Sequence, residues 1–226
     1  MESTVNENPG EEYHLSISKE ELAKLQPAHF KGVIHVIDKE EDVAGAIQVL
    51  RSSSVIGFDT ETRPSFKKGL THIVSLLQLS TREDAFLFRL NKIGMPKALK
   101  DLIEDENALK VGLSIHDDFH NLSRLCEITP KGFIDLQEYV QKWNISDISL
   151  TKISAIVLGK RISKGQRLTN WEADTLTSHQ QEYASLDALA CIWIYEKLRD
   201  GEFKPEESIY YHINEKSETS EESKEA

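Results

Sequence analysis

The sequence lacks the features of a membrane-inserted or exported protein. No apolar run approaches the roughly 20 residues that a helix needs to cross a bilayer. The N-terminal segment is polar and acidic, without a basic start followed by an apolar stretch, so no export signal is predicted. Only two cysteines are present, Cys126 and Cys191, and both lie within apolar helical patterns. We therefore expect two buried free thiols and an intracellular, cytoplasmic protein.

The chain also lacks an excess of basic residues. Its 226 residues include 27 Lys and Arg against 38 Asp and Glu, a formal net charge of −11. Such a balance argues at first against a nucleic-acid partner. The charge is uneven, however, because residues 1–21 carry −5 and residues 203–226 carry −4, which leaves −2 for residues 22–202. We predict one folded domain over 22–202, between an acidic, partly disordered N-terminal extension and an acidic, low-complexity C-terminal tail.

Short apolar runs alternate with helical periodicity through the middle of the chain. Six segments have the pattern of strands, at 33–37, 55–58, 73–79, 85–88, 109–113 and 133–134. Apolar stripes with helical spacing separate the first two strands and follow each of the last three. The polar connection at 80–84 is short enough for an antiparallel hairpin. This pattern predicts a single α/β domain with a mixed β-sheet flanked by helices, ending in a long helix over about 178–199.

Two acids follow the strand at 55–58. In Phe58-Asp-Thr-Glu-Thr62, the two-residue period of a strand places Asp59 and Glu61 on the same face. Neighbouring carboxylates repel each other, and a divalent cation such as Mg²⁺ or Mn²⁺, which prefers oxygen ligands, would remove this repulsion. A solvated strand end with Asp59 capping a turn is the alternative. The pair by itself favours neither interpretation.

Further acids stand near later elements. The strand at 109–113 runs into Asp117 and Asp118, either of which could simply cap the next helix. In the last helix, Tyr183 and Asp187 are four residues apart and share one face. A plain Tyr–Asp hydrogen bond is the ordinary alternative. Because the same helix carries apolar residues toward the core, an unpaired carboxylate at 187 would be costly, which favours a functional role.

Together these three motifs resemble the DEDD superfamily of 3′-5′ exonucleases in its tyrosine-containing branch, which includes ribonuclease D and Werner-type exonuclease domains. The resemblance covers about residues 33–200 and includes the Ile73-Val-Ser-Leu-Leu-Gln-Leu79 strand and the stretch Lys160–Ala173. It implies a ribonuclease H-like fold and a hydrolase that releases nucleoside 5′-monophosphates from a 3′ end. It also implies a set of catalytic residues, namely Asp59, Glu61, Asp118, Tyr183 and Asp187.

The resemblance makes the four acids of this set the ligands of two Mg²⁺ or Mn²⁺ ions per site. Asp59 is expected to bridge both ions. Glu61 and Asp187 are expected at the ion on the side of the attacking water, and Asp118 mainly at the second ion. Tyr183 is expected to position the water rather than to remove its proton, because an ordinary tyrosine pKa is near 10.

The choice between Asp117 and Asp118 depends on the helix that follows. In the family the acid precedes an apolar core residue by four positions, which is Leu122 for Asp118 and Asn121 for Asp117. The run that ends at Asp118 also fits the related Asn-x-x-x-Asp pattern, except that Ser114 replaces the asparagine. This departure argues against a polar helper at position 114.

The segment Lys160-Arg-Ile-Ser-Lys-Gly-Gln-Arg167 is basic and contains no acid. We predict that a nucleic-acid strand with a single-stranded 3′ terminus contacts Lys160, Arg161, Lys164 and Arg167, aided by Arg63, Lys67 and Lys68. A solvated surface loop is the alternative. Phe66 and Trp171 are candidates for stacking on bases, although Trp171 fits a packed core equally well. Without the four metal-binding acids, residues 22–202 carry +2, so the acidic total does not exclude nucleic acid.

Two rival functions belong to other classes. His116 and His120 superficially suggest a zinc site or an HD-type phosphohydrolase, but that class is all-helical and strands are predicted here. A non-catalytic nucleic-acid-binding module of the same fold would have lost one or more of the acids, and all are present. DNA is slightly favoured over RNA, since the 39 residues after Asp187 are too few for the helical domain that follows the nuclease in ribonuclease D. RNA 3′-end processing stays the alternative.

Overall fold

A computed structural model describes residues 13–67, 69 and 71–214. Residues 1–12 and 215–226 of the two predicted extensions, and Lys68, lie outside them. The strands are β1 (Tyr13–Leu15), β2 (Val33–Ile37), β3 (Ile56–Thr62), β4 (Val74–Ser80), β5 (Asp84–Phe88), β6 (Lys110–Gly112), β7 (Phe133–Asp135) and β8 (Tyr211–Ile213). The helices are α1 (Lys19–Lys24), α2 (Val43–Arg51), α3 (Leu90–Ile93), α4 (Lys97–Ile103), α5 (Ile115–Ser123), α6 (Leu136–Tyr139), α7 (Leu150–Leu158) and α8 (Ser178–Arg199). Within the described part of the chain, every helix is too short or too polar to span a membrane.

Six of these strands form one mixed sheet in the order β2-β5-β4-β3-β6-β7. The strands β3, β4 and β5 are antiparallel neighbours, and the predicted hairpin joins β4 to β5. In contrast, β2 pairs parallel with β5, and β6 and β7 continue parallel from β3. Helices α2, α4 and α5 bury apolar side chains against one face of the sheet, and α7 and α8 cover the other. The predicted mixed α/β sheet flanked by helices is confirmed.

The folded part of the chain extends beyond both predicted boundaries of the domain. Strand β1 pairs antiparallel with β8 in a separate two-stranded sheet. Leu15, Ile17, Phe203 and Tyr210 are buried in the cluster that α7 and α8 form. These apolar side chains are scattered among acidic residues. The acidic composition of both segments therefore predicts extensions, whereas their apolar side chains pack against the core because burial of apolar surface is favourable.

Helix α8 packs directly over β3 at Gly57. A Cβ atom at this position would overlap the carbonyl oxygen of Ala188. The missing side chain therefore lets the backbone of the helix approach the sheet closely. This contact lies one residue from Asp187 and two residues from Asp59, so it determines how near the two carboxylates come to each other.

Gly57→Ala is expected to destabilise the protein by about 1–3 kcal/mol, the usual cost of overpacking a core, because either α8 or β3 must shift. Urea denaturation measures this loss. The matched control is Gly45→Ala on the exposed side of α2, where an added Cβ meets no atom within 4 Å. That change should stabilise the helix by roughly 0.5–1 kcal/mol. Equal stability of Gly57→Ala and the wild type would show that the close approach is unimportant.

Candidate active site

Strand β3 and helix α8 bring three carboxylates together. Asp59 and Glu61 lie two residues apart on β3, and Asp187 lies on α8. One carboxylate oxygen from each of these three residues lies within 4.8 Å of the other two. Tyr183 precedes Asp187 by one helical turn and lines the same cavity. The side chains that the strand period and the helical spacing indicated in the sequence thus lie together in one site.

The fourth acid, Asp118, comes from the opposite helical layer. It accepts a hydrogen bond from the hydroxyl of Thr60, the residue between the two acids of β3. The neighbouring Asp117 is exposed. Helix α5 begins at Ile115, so Asp118 lies within its first turn and is not the N-cap residue that the alternative interpretation required. Nothing in the sequence singled out Thr60, because threonine is common in strands and its presence there does not indicate a function.

The start of α5 is held by a carboxylate from the next strand. The backbone N–H groups of Ser114 and Ile115 each donate to an oxygen of Asp135, both at 3.0 Å. Ser114 itself has left-handed backbone geometry, with φ 60°. Asp135 also accepts a hydrogen bond from the N–H of Gln137 at 2.8 Å and so caps α6. Asp135 thereby fixes where the helix that carries the fourth acid begins.

Burial and mutual repulsion raise the pKa values of the acids on β3. Removal from water, and then the charges of Asp187, Asp118 and Glu61, raise the pKa of Asp59 well above its ordinary range. Burial, followed by the charges of Asp187 and Asp118, raises the pKa of Glu61 to about 9, although Arg167 opposes this rise. In the absence of bound metal, the Glu61 carboxyl therefore holds a proton at neutral pH.

The remaining groups shift in the same direction. Burial raises the pKa of Asp118 to about 7, although the hydrogen bond from Thr60 lowers it. Burial also raises the pKa of Asp187 to about 7, and the Tyr183 hydroxyl and Lys164 lower it. Burial and the neighbouring carboxylates raise the pKa of Tyr183. Its hydroxyl therefore keeps its proton and can donate a hydrogen bond.

The donor set fits a divalent cation. Three clustered carboxylates offer the hard oxygen ligands that such ions prefer, and the fourth acid lies close enough to influence the pKa values of two of them. The repulsion that raises these pKa values is the energy that a bound cation would remove. The residues present can therefore hold divalent metal.

The cavity above the carboxylates has a volume of about 300 Å³, and only part of the predicted basic segment lines it. Lys164 and Arg167 line this cavity. Lys160 instead lines a separate cavity of about 680 Å³. The backbone of Arg161 pairs with another segment, since its N–H donates to the Gln26 carbonyl at 3.1 Å. The structure thus brings two of the four predicted nucleic-acid contacts to the carboxylates and places the other two elsewhere.

Other residues that the sequence singled out are already engaged or lie at the surface. Arg63 donates to Glu172 at 3.0 Å. Trp171 is fully buried and its ring centre lies 6.0 Å from that of Tyr183, so it packs in the core. Phe66 is 85% exposed, and Lys67, His116 and His120 are exposed as well. Ser149, Thr151 and Ser163, which line the cavity, had no distinguishing signal in the sequence.

Comparison with known proteins gives consistent matches. Residues 34–201 match a family model described as 3′-5′ exonuclease. The bifunctional 3′-5′ exonuclease/ATP-dependent helicase WRN of Mus musculus is 33% identical over 155 residues, covering 66% of this chain and 11% of that protein. A 3′-5′ exonuclease of Arabidopsis thaliana is 30% identical over 178 residues, covering 74% of this chain and 58% of that protein. Trypanosoma brucei RNase D, solved in complex with RNA, superposes with a TM-score of 0.65 at 22% identity, covering 74% of this chain and 62% of that chain.

The chain belongs to the 3′-5′ exonuclease family, because the family model covers most of its length. The resemblance to DEDD-superfamily exonucleases is confirmed, and the matched range nearly coincides with the 33–200 predicted from the motifs. The likeness to RNase D, at 22% identity, concerns the fold. The chain spans 11% and 58% of the lengths of the two curated relatives.

Proposed function

We propose that this chain hydrolyses the terminal phosphodiester at the 3′ end of nucleic acid and releases nucleoside 5′-monophosphates, with two Mg²⁺ or Mn²⁺ ions bound. One observation carries the proposal: three carboxylates from β3 and α8 lie within 4.8 Å of one another in a 3′-5′ exonuclease fold. A non-catalytic module has no need of such a cluster, since buried carboxylates that repel each other cost stability.

The residues of the site have separable roles in this proposal. Asp59 would contact both ions, Glu61 and Asp187 would hold the first, and Asp118 would serve mainly the second. When bound, the two ions supply an activated water and stabilise the charge that develops on the leaving 3′ oxygen. Tyr183, protonated and one turn from Asp187, would donate its hydrogen bond within the site and orient the water. Membership of the tyrosine-containing branch is part of this proposal.

The proposed substrate is a strand with a free, single-stranded 3′ end. Lys164 and Arg167 line the cavity and would neutralise its backbone phosphates. DNA is the first proposed candidate, and RNA 3′-end processing is the second, because the structural relative from Trypanosoma brucei was solved with RNA. A cytoplasmic location is part of the proposal and is supported by the two free cysteines.

A nuclease assay tests the function directly. Single-stranded DNA and RNA oligonucleotides of one sequence, labelled at the 5′ end, should yield a ladder that shortens from the 3′ end when Mg²⁺ or Mn²⁺ is present. Chelator should stop the reaction, and a 3′-terminal blocking group should delay it. Digestion of one oligonucleotide and not its partner decides between DNA and RNA. Wild-type protein that leaves both intact with either ion would contradict the proposed function.

Charge reversal at Lys164 and Arg167 is expected to raise the Michaelis constant and to flatten its salt dependence. Each lost phosphate contact removes about 0.7 from the logarithmic salt slope for a single strand, so the pair should remove roughly 1–2. The control is Lys160→Glu, which reverses one charge of the same segment outside the cavity and is compared with the single reversals Lys164→Glu and Arg167→Glu as well as with the pair. Equal salt slopes for the double variant and the control would show that these two side chains do not contact the substrate.

A further inference from the structure

Gln78 is a buried polar side chain beside the carboxylate cluster. In the register of β3 and β4 it lies directly opposite Asp59. Opposite residues of an antiparallel pair project to the same face with Cβ atoms about 4.5–5.5 Å apart. Gln78 has no exposed surface, and within the described residues neither its amide nitrogen nor its amide oxygen has a hydrogen-bond partner.

Such a side chain is costly where the surroundings are apolar. A buried amide loses its hydrogen bonds to water, and a methionine or leucine would fill a similar space without that loss. The residues beside Gln78 on the same face of the sheet are Leu76 and the small Ser80 on its own strand and Leu87 on β5. The polar group that the register places opposite it is the carboxylate of Asp59.

We propose that Gln78 is a positioning residue: when divalent metal is bound, its side-chain amide, which has no partner among the described residues, turns to donate a hydrogen bond to the Asp59 carboxylate and fixes the orientation in which that carboxylate holds the metal. The inference depends on the proposed function, because it assigns Asp59 to the metal. Carboxylates that bind metal are commonly oriented by hydrogen bonds to their remaining lone pairs. The three side-chain torsions of glutamine allow its amide nitrogen to turn toward that carboxylate.

The chemistry of the amide supports this role. The site depends on the negative charge of four acids to attract cations. A lysine or arginine donor at position 78 would cancel part of that charge, whereas a glutamine amide donates a hydrogen bond and remains neutral. A neutral donor can therefore orient the ligand without weakening the attraction between the site and the metal.

The test is Mn²⁺ binding by isothermal titration calorimetry, without substrate, to Gln78→Met and Gln78→Leu. Both variants should bind Mn²⁺ 10- to 100-fold more weakly, the usual effect of removing a group that orients a metal ligand. Thermal unfolding in chelator should stay unchanged or rise, since the unpartnered amide is gone. Ser80→Ala is the matched control: Ser80 is also buried without a side-chain partner on β4, but it lies opposite Gly57. Its Mn²⁺ affinity should equal that of the wild type.

Hydrolysis adds a second readout. Excess Mn²⁺ should restore the turnover of Gln78→Met, because every metal ligand is still present, and should not restore Asp59→Asn. Wild-type Mn²⁺ affinity in the Gln78 variants, or equal weakening in Ser80→Ala, would overturn the role of Gln78. If Asp59→Asn alone loses binding, only the inference about Gln78 fails. If the wild type binds no Mn²⁺, the proposed function fails as well.

Discussion

Asp187→Asn is expected to reduce hydrolysis by about 10³-fold or more while leaving the protein folded. Asparagine has the shape of aspartate but lacks the charge, and the residue lies at the centre of the cluster with Asp59 and Glu61. Metal ions contribute several kcal/mol to charge stabilisation in a transition state. At about 1.4 kcal/mol for each tenfold change in rate, losing one ion accounts for this reduction. Single-turnover assays with labelled oligonucleotide measure it.

The control for this prediction is Asp117→Asn, which removes the same charge from an exposed position next to the fourth acid. It should keep wild-type turnover, whereas Asp118→Asn should lose most of it. In chelator at pH 8, Asp187→Asn should be at least as stable as the wild type, because a buried and repelled charge is gone. Retention of activity within tenfold of the wild type by Asp187→Asn would exclude it as a metal ligand.

In chelator, the protein is expected to lose stability as pH rises from about 4 to 9. The folded-state pKa values of the clustered carboxyls are raised, to about 7 for Asp187 and about 9 for Glu61. Between the unfolded pKa values near 4 and these values, the folded state binds more protons than the unfolded state. The free energy of unfolding therefore falls with pH and is lowest above the folded pKa values.

The size of this effect follows from Asp187. A shift of about three pKa units, at roughly 1.4 kcal/mol per unit, corresponds to about 4 kcal/mol. At about 2–4 °C per kcal/mol for a chain of this size, the melting temperature should fall by roughly 10 °C. Differential scanning calorimetry in chelator between pH 4 and 9 measures it.

Divalent metal should reverse this loss of stability. The effect should be larger at high pH, because the ions bind the ionised carboxylates. When the free metal concentration is about 100 times the dissociation constant, binding raises the free energy of unfolding by about 2.7 kcal/mol. Asp187→Asn should show a smaller pH dependence in chelator. A flat melting temperature between pH 4 and 9 would show that the carboxylates are not buried together.

Local patterns were sufficient to predict much of the fold. Strand runs and helical stripes depend on residues close in sequence, and they predicted the mixed sheet, the β4–β5 hairpin and the long last helix. The pairing of β1 with β8, two strands that lie within the predicted extensions, was not predicted, because it joins residues about 200 positions apart and composition carries no information on such contacts.

The sequence alone placed Asp59 and Glu61 on one face of a strand and Tyr183 and Asp187 on one face of a helix, because these relations depend only on the strand and helix periods. Only the tertiary structure decided how the site is assembled. The close approach of α8 at Gly57, the anchoring of α5 by Asp135 and the placement of Gln78 opposite Asp59 are contacts between distant segments. No local pattern encodes such contacts, since they arise when separate elements pack against one another.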